Sequence, residues 1–252
     1  MKILSILCLF LGLPYACLSG EENFILINNN TGNVVLELGP NVNERVTPCS
    51  SFKIALSLMG YDAKILQDNE NPIWNFQEGY VDYIDSWKTA QTPQSWIKNS
   101  CVWYSQILTS QLGIEKVQDY LRLLEYGNQD ISGGLTSAWL SSSLKISPKE
   151  QLKFLQKMFQ PDSSLSNNAI KTTKSLLFIG DLSEGWKLFG KTGFGNNHNL
   201  EIGWFVGWLE KEETVYIFAY NMQNTKVDPT QRVPRVKQLL IDSLTSNKSE
   251  EK

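Results

Sequence analysis

Ile202-Gly203-Trp204-Phe205-Val206-Gly207-Trp208-Leu209, then Lys211-Glu212-Glu213, then Thr214-Val215-Tyr216-Ile217-Phe218-Ala219-Tyr220-Asn221: two runs dense in Trp, Phe, Val, Ile and Tyr flank a tight polar turn, which reads as an antiparallel hairpin near the C-terminus. Just upstream, Trp186-Lys187-Leu188-Phe189 leads into Lys191-Thr192-Gly193 as another strand. At the opposite end of the chain, residues 24–27 and 34–38 are apolar, β-rich runs joined by Asn28-Asn29-Asn30-Thr31-Gly32-Asn33, so a second hairpin is predicted there. From Ser50 to about Gly180 the pattern turns mostly helical. Ser147-Pro148-Lys149-Glu150 is a capping box with proline at the first helical position, followed by Leu152, Leu155 and Phe159 at helical spacing. A last helix fits residues 230–243, with Val233, Val236, Leu239 and Leu240 on one face. Strands, then helices, then strands and a helix predict an α+β fold: an antiparallel sheet built from both chain ends, flanked by helices, with an all-helical second lobe. The expected sheet lobe comprises about residues 21–49 and 181–246, and the helical lobe about 50–180. The two form a single domain over residues 21–252, and a cleft between such lobes is a natural ligand site.

Composition narrows the chemistry. The 252-residue chain carries a formal net charge of -3, which argues against a broad phosphate-binding surface and against nucleic acid as a partner. Only the last residues, 246–252, have the composition of a disordered segment. The single histidine, His198, excludes a zinc site built on several imidazoles, and no Cys-x-x-Cys pair replaces one. A hydrolase of this composition takes its proton with something other than imidazole, unless His198 serves; the polar turn around His198 reads as an exposed loop. No metal and no organic cofactor is implied. The residues carry no sign of a particular oligomeric state.

The first 20 residues read as an export signal, with Lys2 as the charged start, residues 3–13 as the apolar stretch and 14–20 as the cleavage region. That apolar run is too short for the roughly 20 residues a membrane span needs, so no stable membrane insertion is expected, and the mature chain is expected to be periplasmic or secreted. Ala16-Cys17 hints at a lipoprotein signal, but Pro14 fits one poorly. Cys8 and Cys17 leave with the signal. Cys49 and Cys101 remain, in a compartment that permits a disulfide; two buried free thiols are the alternative.

Pro48-Cys49-Ser50-Ser51-Phe52-Lys53 opens an apolar helix over residues 54–59. Ser50 and Lys53 are three apart, so they share a face, and the positive end of the helix dipole favours an attacking alkoxide on Ser50. A neutral or modified lysine is able to take the hydroxyl proton. Alone the pattern is weak, because this composition yields about two Ser-x-x-Lys matches by chance; residues 95–98, 142–145 and 249–252 also match.

Further motifs follow in order: Ser100-Cys101-Val102, Tyr126-Gly127-Asn128, Trp139-Leu140, Lys191-Thr192-Gly193 and Gly203-Trp204-Phe205-Val206-Gly207-Trp208. With this set the sequence resembles the class D serine β-lactamases, the oxacillinases, of the penicillin-recognising enzyme superfamily. The resemblance covers essentially the whole mature chain. It is almost residue for residue in Trp103-Tyr104-Ser105-Gln106, in residues 139–148 and in Gly190-Lys191-Thr192-Gly193.

The resemblance implies roles. Ser50 is the expected nucleophile, carrying the acyl group of a β-lactam antibiotic. Lys53 is the expected base, carboxylated by CO₂ to N6-carboxylysine. An amine walled by Phe52, Val102, Trp139 and Leu140 is expected to be dry, hence neutral enough to capture CO₂. Trp139 is expected to hold the carbamate through its indole N–H, and the aliphatic Val102 leaves that carbamate without an acidic competitor. Ser100 is expected to carry a proton to the leaving nitrogen, with Lys191 beside it lending positive potential. Thr192 is expected to bind the substrate carboxylate with an arginine of the last helix, Arg232 by spacing and Arg235 as the alternative. The backbone N–H groups of Ser50 and Phe194 are the expected oxyanion hole. Tyr126-Gly127-Asn128 reads as cleft-wall architecture. Ser-Ser-Phe-Lys stands where the family usually has Ser-Thr-Phe-Lys, and residues 129–135 form a shorter connection than relatives with an extra polar loop. The implied activity is hydrolysis of penicillins, including isoxazolyl types, and hence antibiotic resistance. A penicillin-sensor domain or a cell-wall DD-peptidase are the alternatives within the superfamily.

Overall fold

The structure is a computed structural model that describes residues 21–160 and 163–250, with side chains described to residue 245. The expected export signal lies outside the described residues. Six strands form one sheet: β1 (Glu21–Asn28), β2 (Val34–Leu38), β3 (Phe178–Asp181), β4 (Lys187–Asn197), β5 (Leu200–Lys211) and β6 (Thr214–Asn224), in the spatial order β2-β1-β6-β5-β4-β3. All neighbours are antiparallel, and β1 pairs with β6 from Glu21↔Gln223 to Asn28↔Tyr216. The two predicted hairpins are therefore stitched together by β1 and β6, which closes a sheet from both chain ends. The β5–β6 turn is shorter than the charged stretch implied: Lys211 pairs with Thr214, and Glu212 takes the left-handed conformation with φ 53° that a two-residue turn demands.

Side-chain alternation gives the sheet two apolar faces. On one side Phe205, Leu209 and Phe218 pack against α7 (Arg232–Glu250) through Val236, Leu239 and Leu240. On the other, Trp204, Val206 and Trp208 join the core of the helices, α1 (Lys53–Asp62), α2 (Pro93–Asn99), α3 (Val102–Leu112), α4 (Ile114–Leu123), α5 (Pro148–Gln156) and α6 (Asn167–Leu176). The predicted capping box is present at α5: the Ser147 hydroxyl accepts from the Glu150 N–H and the Glu150 carboxylate accepts from the Ser147 N–H. Thr92 and Ser95 build another at α2, which the reading had not singled out. The last helix begins two residues later than expected and its backbone stays helical to Glu250, through residues whose composition resembles a disordered tail.

The middle of the chain is less helical than its composition implies. Between α1 and α2 the only regular element is a short turn, Asp85–Trp87. Asp68 explains part of this: its carboxylate accepts from the backbone of Glu70 and Asn71, a local bond that competes with a helix. Sheet pairing also starts at Phe178, three residues before the expected lobe boundary.

Candidate active site

The segment carrying Ser50 is a 3₁₀ turn, Cys49–Phe52, which passes directly into α1 at Lys53. In a 3₁₀ turn residues i and i+3 eclipse. That is why Lys53 Nζ reaches Ser50 Oγ at 3.1 Å, although Ser50 itself precedes the α-helix. Gly193 of β4 lies against this turn: a Cβ there would come within 2.9 Å of the Pro48 carbonyl and 3.0 Å of the Ser51 nitrogen. A side chain in the Lys-Thr-Gly motif would push β4 off the turn.

Lys53 is fully buried, and burial pulls its ammonium down to about 8. Ser50 Oγ is its hydrogen-bond partner. Phe52, Val102 and Trp139 belong to one hydrophobic core, with Leu140 packed on it. Trp139 is 2 % exposed; its carbonyl accepts from the Cys49 N–H and the Thr47 hydroxyl, which ties it to the nucleophile turn. Its indole Nε1 is buried and has no hydrogen-bond partner among the described residues. An indole N–H left dry and unpaired costs about 1–3 kcal/mol.

Ser100 closes α2 in the left-handed conformation, φ 57° and ψ 31°. Lys191 on β4 donates to Ser100 Oγ at 3.0 Å and to the Thr192 carbonyl at 3.0 Å. The Lys191 ammonium is lowered well below the ordinary lysine value, first by burial and then by the like charges of Lys53 and Arg232. The two hydroxyls thus face the same cleft with their amines behind them; it has a volume of about 600 Å³ and is lined by Ser50, Ser100, Val102, Thr192, Phe194 and Arg232 among others.

The two candidate arginines separate cleanly. Arg232 is nine-tenths buried, lines the cleft and donates to the Gly193 and Pro229 carbonyls; burial lowers it to about 10. Arg235 forms a forked pair with the Glu22 carboxylate on β1. Of the two readings left open for Cys49 and Cys101, the structure has the buried free thiols. Burial pushes Cys49 up to about 12 and Cys101 to about 11, which makes both poor thiolates. His198 is exposed in the β4–β5 turn. Gly127 has φ 53°, and a Cβ there would meet the Lys145 carbonyl at 2.0 Å, while Asn128 bonds Ser143 and Lys145 across the loop. That motif is architecture, as expected.

Two features escaped the sequence reading. Tyr83, Ile84 and Trp87 form an apolar rim of the cleft, and their only signal was an aromatic cluster in a polar stretch. Cys49, Ser100 and Ser141, all lining the cleft, have positive φ of 50°, 57° and 57°. Non-glycine residues in that conformation concentrate strain at a site, and composition gives no hint of it.

Comparison with known proteins agrees with this geometry. A family profile described as penicillin binding protein transpeptidase domain matches residues 23–240. The β-lactamase OXA-9 of Klebsiella pneumoniae is 40% identical over 210 residues, covering 77% of this chain and 76% of that protein. The crystal structure of the OXA-427 class D β-lactamase superposes with a TM-score of 0.84 at 34% identity, covering 89% of this chain and 99% of that one. The methicillin resistance mecR1 protein of Staphylococcus aureus is 33% identical over 204 residues, 81% of this chain but 34% of that protein. The chain belongs to the class D serine β-lactamases, within the penicillin-binding transpeptidase superfamily.

Proposed function

We propose that the cleft opens the β-lactam amide of penicillins through an acyl-enzyme on Ser50 and then hydrolyses that ester. The observation that carries this reading is the dry amine of Lys53, 3.1 Å behind the Ser50 Oγ that lines the cleft, with Ser100, the partner of Lys191, lining the same cleft. Ser50 Oγ attacks the ring carbonyl and the C–N bond breaks. The Ser50 proton passes to the neutral Lys53 amine, and Ser100 gives its proton to the departing nitrogen while recovering one from the Lys191 ammonium that donates to it. Backbone N–H groups of Ser50 and Phe194 receive the oxyanion, a type of contact worth roughly 2.7–4 kcal/mol per donor. Arg232 and Thr192 hold the substrate carboxylate, the guanidinium fork suiting a planar anion.

The residues around Lys53 fit a carbamate on its amine. The amine is dry, Val102 offers no competing carboxylate, and the buried Trp139 Nε1 supplies a donor with nothing to donate to. When present, that group supplies a base for the Ser50 hydroxyl and for the deacylating water. No organic or metal cofactor enters the proposal. No helix among the described residues is long and apolar enough to cross a membrane; export through the N-terminal signal remains part of the proposal.

The sensor and peptidase alternatives differ at one step. Mass spectrometry after a single addition of benzylpenicillin is expected to show an adduct that disappears within seconds while hydrolysed product accumulates. A stoichiometric adduct lasting for hours, with no product beyond one equivalent, contradicts hydrolysis and favours a sensor or peptidase.

A further inference from the structure

Beside the catalytic cleft lies a second cavity of about 400 Å³, formed by Ile97 and Lys98 on α2, Phe178 and Ile179 on β3, and Gly190 and Thr192 on β4, with Lys191 among its lining. Thr192 borders both spaces. The arrangement follows from the sheet edge. β3 covers β4 only as far as Phe189, paired with Phe178, and a single bond from the Gly190 N–H to the Leu177 carbonyl ends the contact. From Lys191 onward the β4 edge is uncovered by β3, with residues 190–192 facing the second cavity and 192–196 facing the cleft. Phe178 and Ile179 are 48% and 40% exposed, an apolar pair that the fold leaves uncovered on an edge strand. Lys98 is exposed and has no ion pair among the described residues.

The direction of the substrate follows from the proposed function, on which this inference rests. With the β-lactam carbonyl at Phe194 and the carboxylate at Thr192, the ligand runs along β4 toward its N-terminal end, about 7 Å for two residues of strand. Continuing in that direction leads past Thr192 to Gly190 and into the second cavity. In a bicyclic β-lactam, the next substituent in that direction stands on the ring carbon adjacent to the one bearing the carboxylate. Penicillins carry only methyl groups there. Cephalosporins carry a group of variable length. We infer that this cavity receives that substituent, so the enzyme favours cephalosporins whose group at this carbon is flat and apolar and ends in an anion that meets Lys98. Phe178 and Ile179 supply the apolar walls.

The test uses three cephalosporins with one acylamido side chain, bearing a methyl, a styryl or a 4-carboxystyryl group at that carbon. None of these groups departs during the reaction, but the styryl groups conjugate with the ring, so each second-order acylation constant is divided by that compound's hydroxide-hydrolysis rate before the substituents are compared. The wild-type enzyme is expected to acylate with the carboxystyryl compound about tenfold faster than with the methyl compound, the scale of one apolar group in a fitted pocket. Ile179→Ser is expected to bring that ratio within twofold. Lys98→Gln is expected to remove only the advantage of carboxystyryl over styryl. Both variants change exposed side chains and are expected to leave benzylpenicillin kcat/KM unchanged. A wild-type ratio near one, a ratio that survives both substitutions, or failure of all three compounds to acylate would overturn the inference. Failure to turn over benzylpenicillin would instead remove the hydrolase reading itself.

Discussion

Lys53 and Lys191 are both buried amines serving one cleft, yet their surroundings differ. Lys191 has an acceptor for each of its three protons: Ser100 Oγ at 3.0 Å, the Thr192 carbonyl at 3.0 Å and the Thr192 hydroxyl at 3.5 Å. Lys53 has the Ser50 hydroxyl and an apolar surround. Burial lowers both amines, and the like charges of Lys53 and Arg232 lower Lys191 as well, so what separates the two is their surroundings: three acceptors fix Lys191 in place, whereas Lys53 meets one hydroxyl in an apolar wall. A buried amine with one acceptor is suited to exist neutral, and a neutral amine is what CO₂ requires. Lowered to about 8, roughly one-tenth of Lys53 is neutral at pH 7, against about one part in 2,500 for an ordinary lysine. The two sites are also coupled. The positive charge of Lys53 is one of the causes that lower Lys191, so conversion of Lys53 to an anionic carbamate reverses that influence and favours the Lys191 ammonium.

The contrast is open to direct attack. Lys53→Ala is expected to cut benzylpenicillin turnover by about 10³-fold or more while the acyl adduct on Ser50 persists, within the range for loss of a general base. Near-normal turnover would remove Lys53 from its role. Lys191→Ala is expected to slow acylation by about 10²-fold and deacylation far less, because the proton needed at the leaving nitrogen belongs to the first half-reaction. Equal losses in both steps would erase the distinction between the lysines. Trp139→Phe keeps the ring and removes the unpaired donor; the bicarbonate needed for half-maximal activity is expected to rise about tenfold, the scale of a lost supporting hydrogen bond. The smallest effect separates the arginines: Arg235→Ala is expected to leave the benzylpenicillin KM within twofold, as its fork is spent on Glu22, whereas Arg232→Ala raises it about tenfold.

How far the sequence carried differs between the same regions. That the sheet would draw strands from both chain ends was legible because Phe24, Ile25 and Leu26 near one end, and Trp204, Phe205 and Val206 with Ile217, Phe218 and Ala219 near the other, sit in uninterrupted apolar runs, and a strand covered on both faces writes itself that way. The closeness of Ser50 and Lys53 was legible from their spacing of three, although a 3₁₀ turn and not the expected helix delivers it; the Ser100–Lys191 pair was legible only through motifs in order, because 91 residues separate the two. Spacing favoured Arg232 over Arg235, but the Glu22 carboxylate that occupies Arg235, about 200 residues away in the chain, was invisible to it. The apolar rim at Tyr83 and Trp87 was missed because it stands in an irregular stretch between α1 and α2, where no periodicity marks a face.

Carbon-13 NMR of the enzyme equilibrated with ¹³C-labelled bicarbonate tests the central claim most directly, since it reads the lysine itself and not activity. One carbamate resonance is expected in the wild-type protein and none in Lys53→Ala. After acid decarboxylation, at fixed dissolved CO₂, the signal is expected to return at a rate that climbs with pH and levels off above an apparent pKa of about 8, because only the unprotonated amine reacts and burial has lowered its proton affinity. A fully active enzyme that shows no such resonance, or one whose resonance survives in Lys53→Ala, contradicts the account.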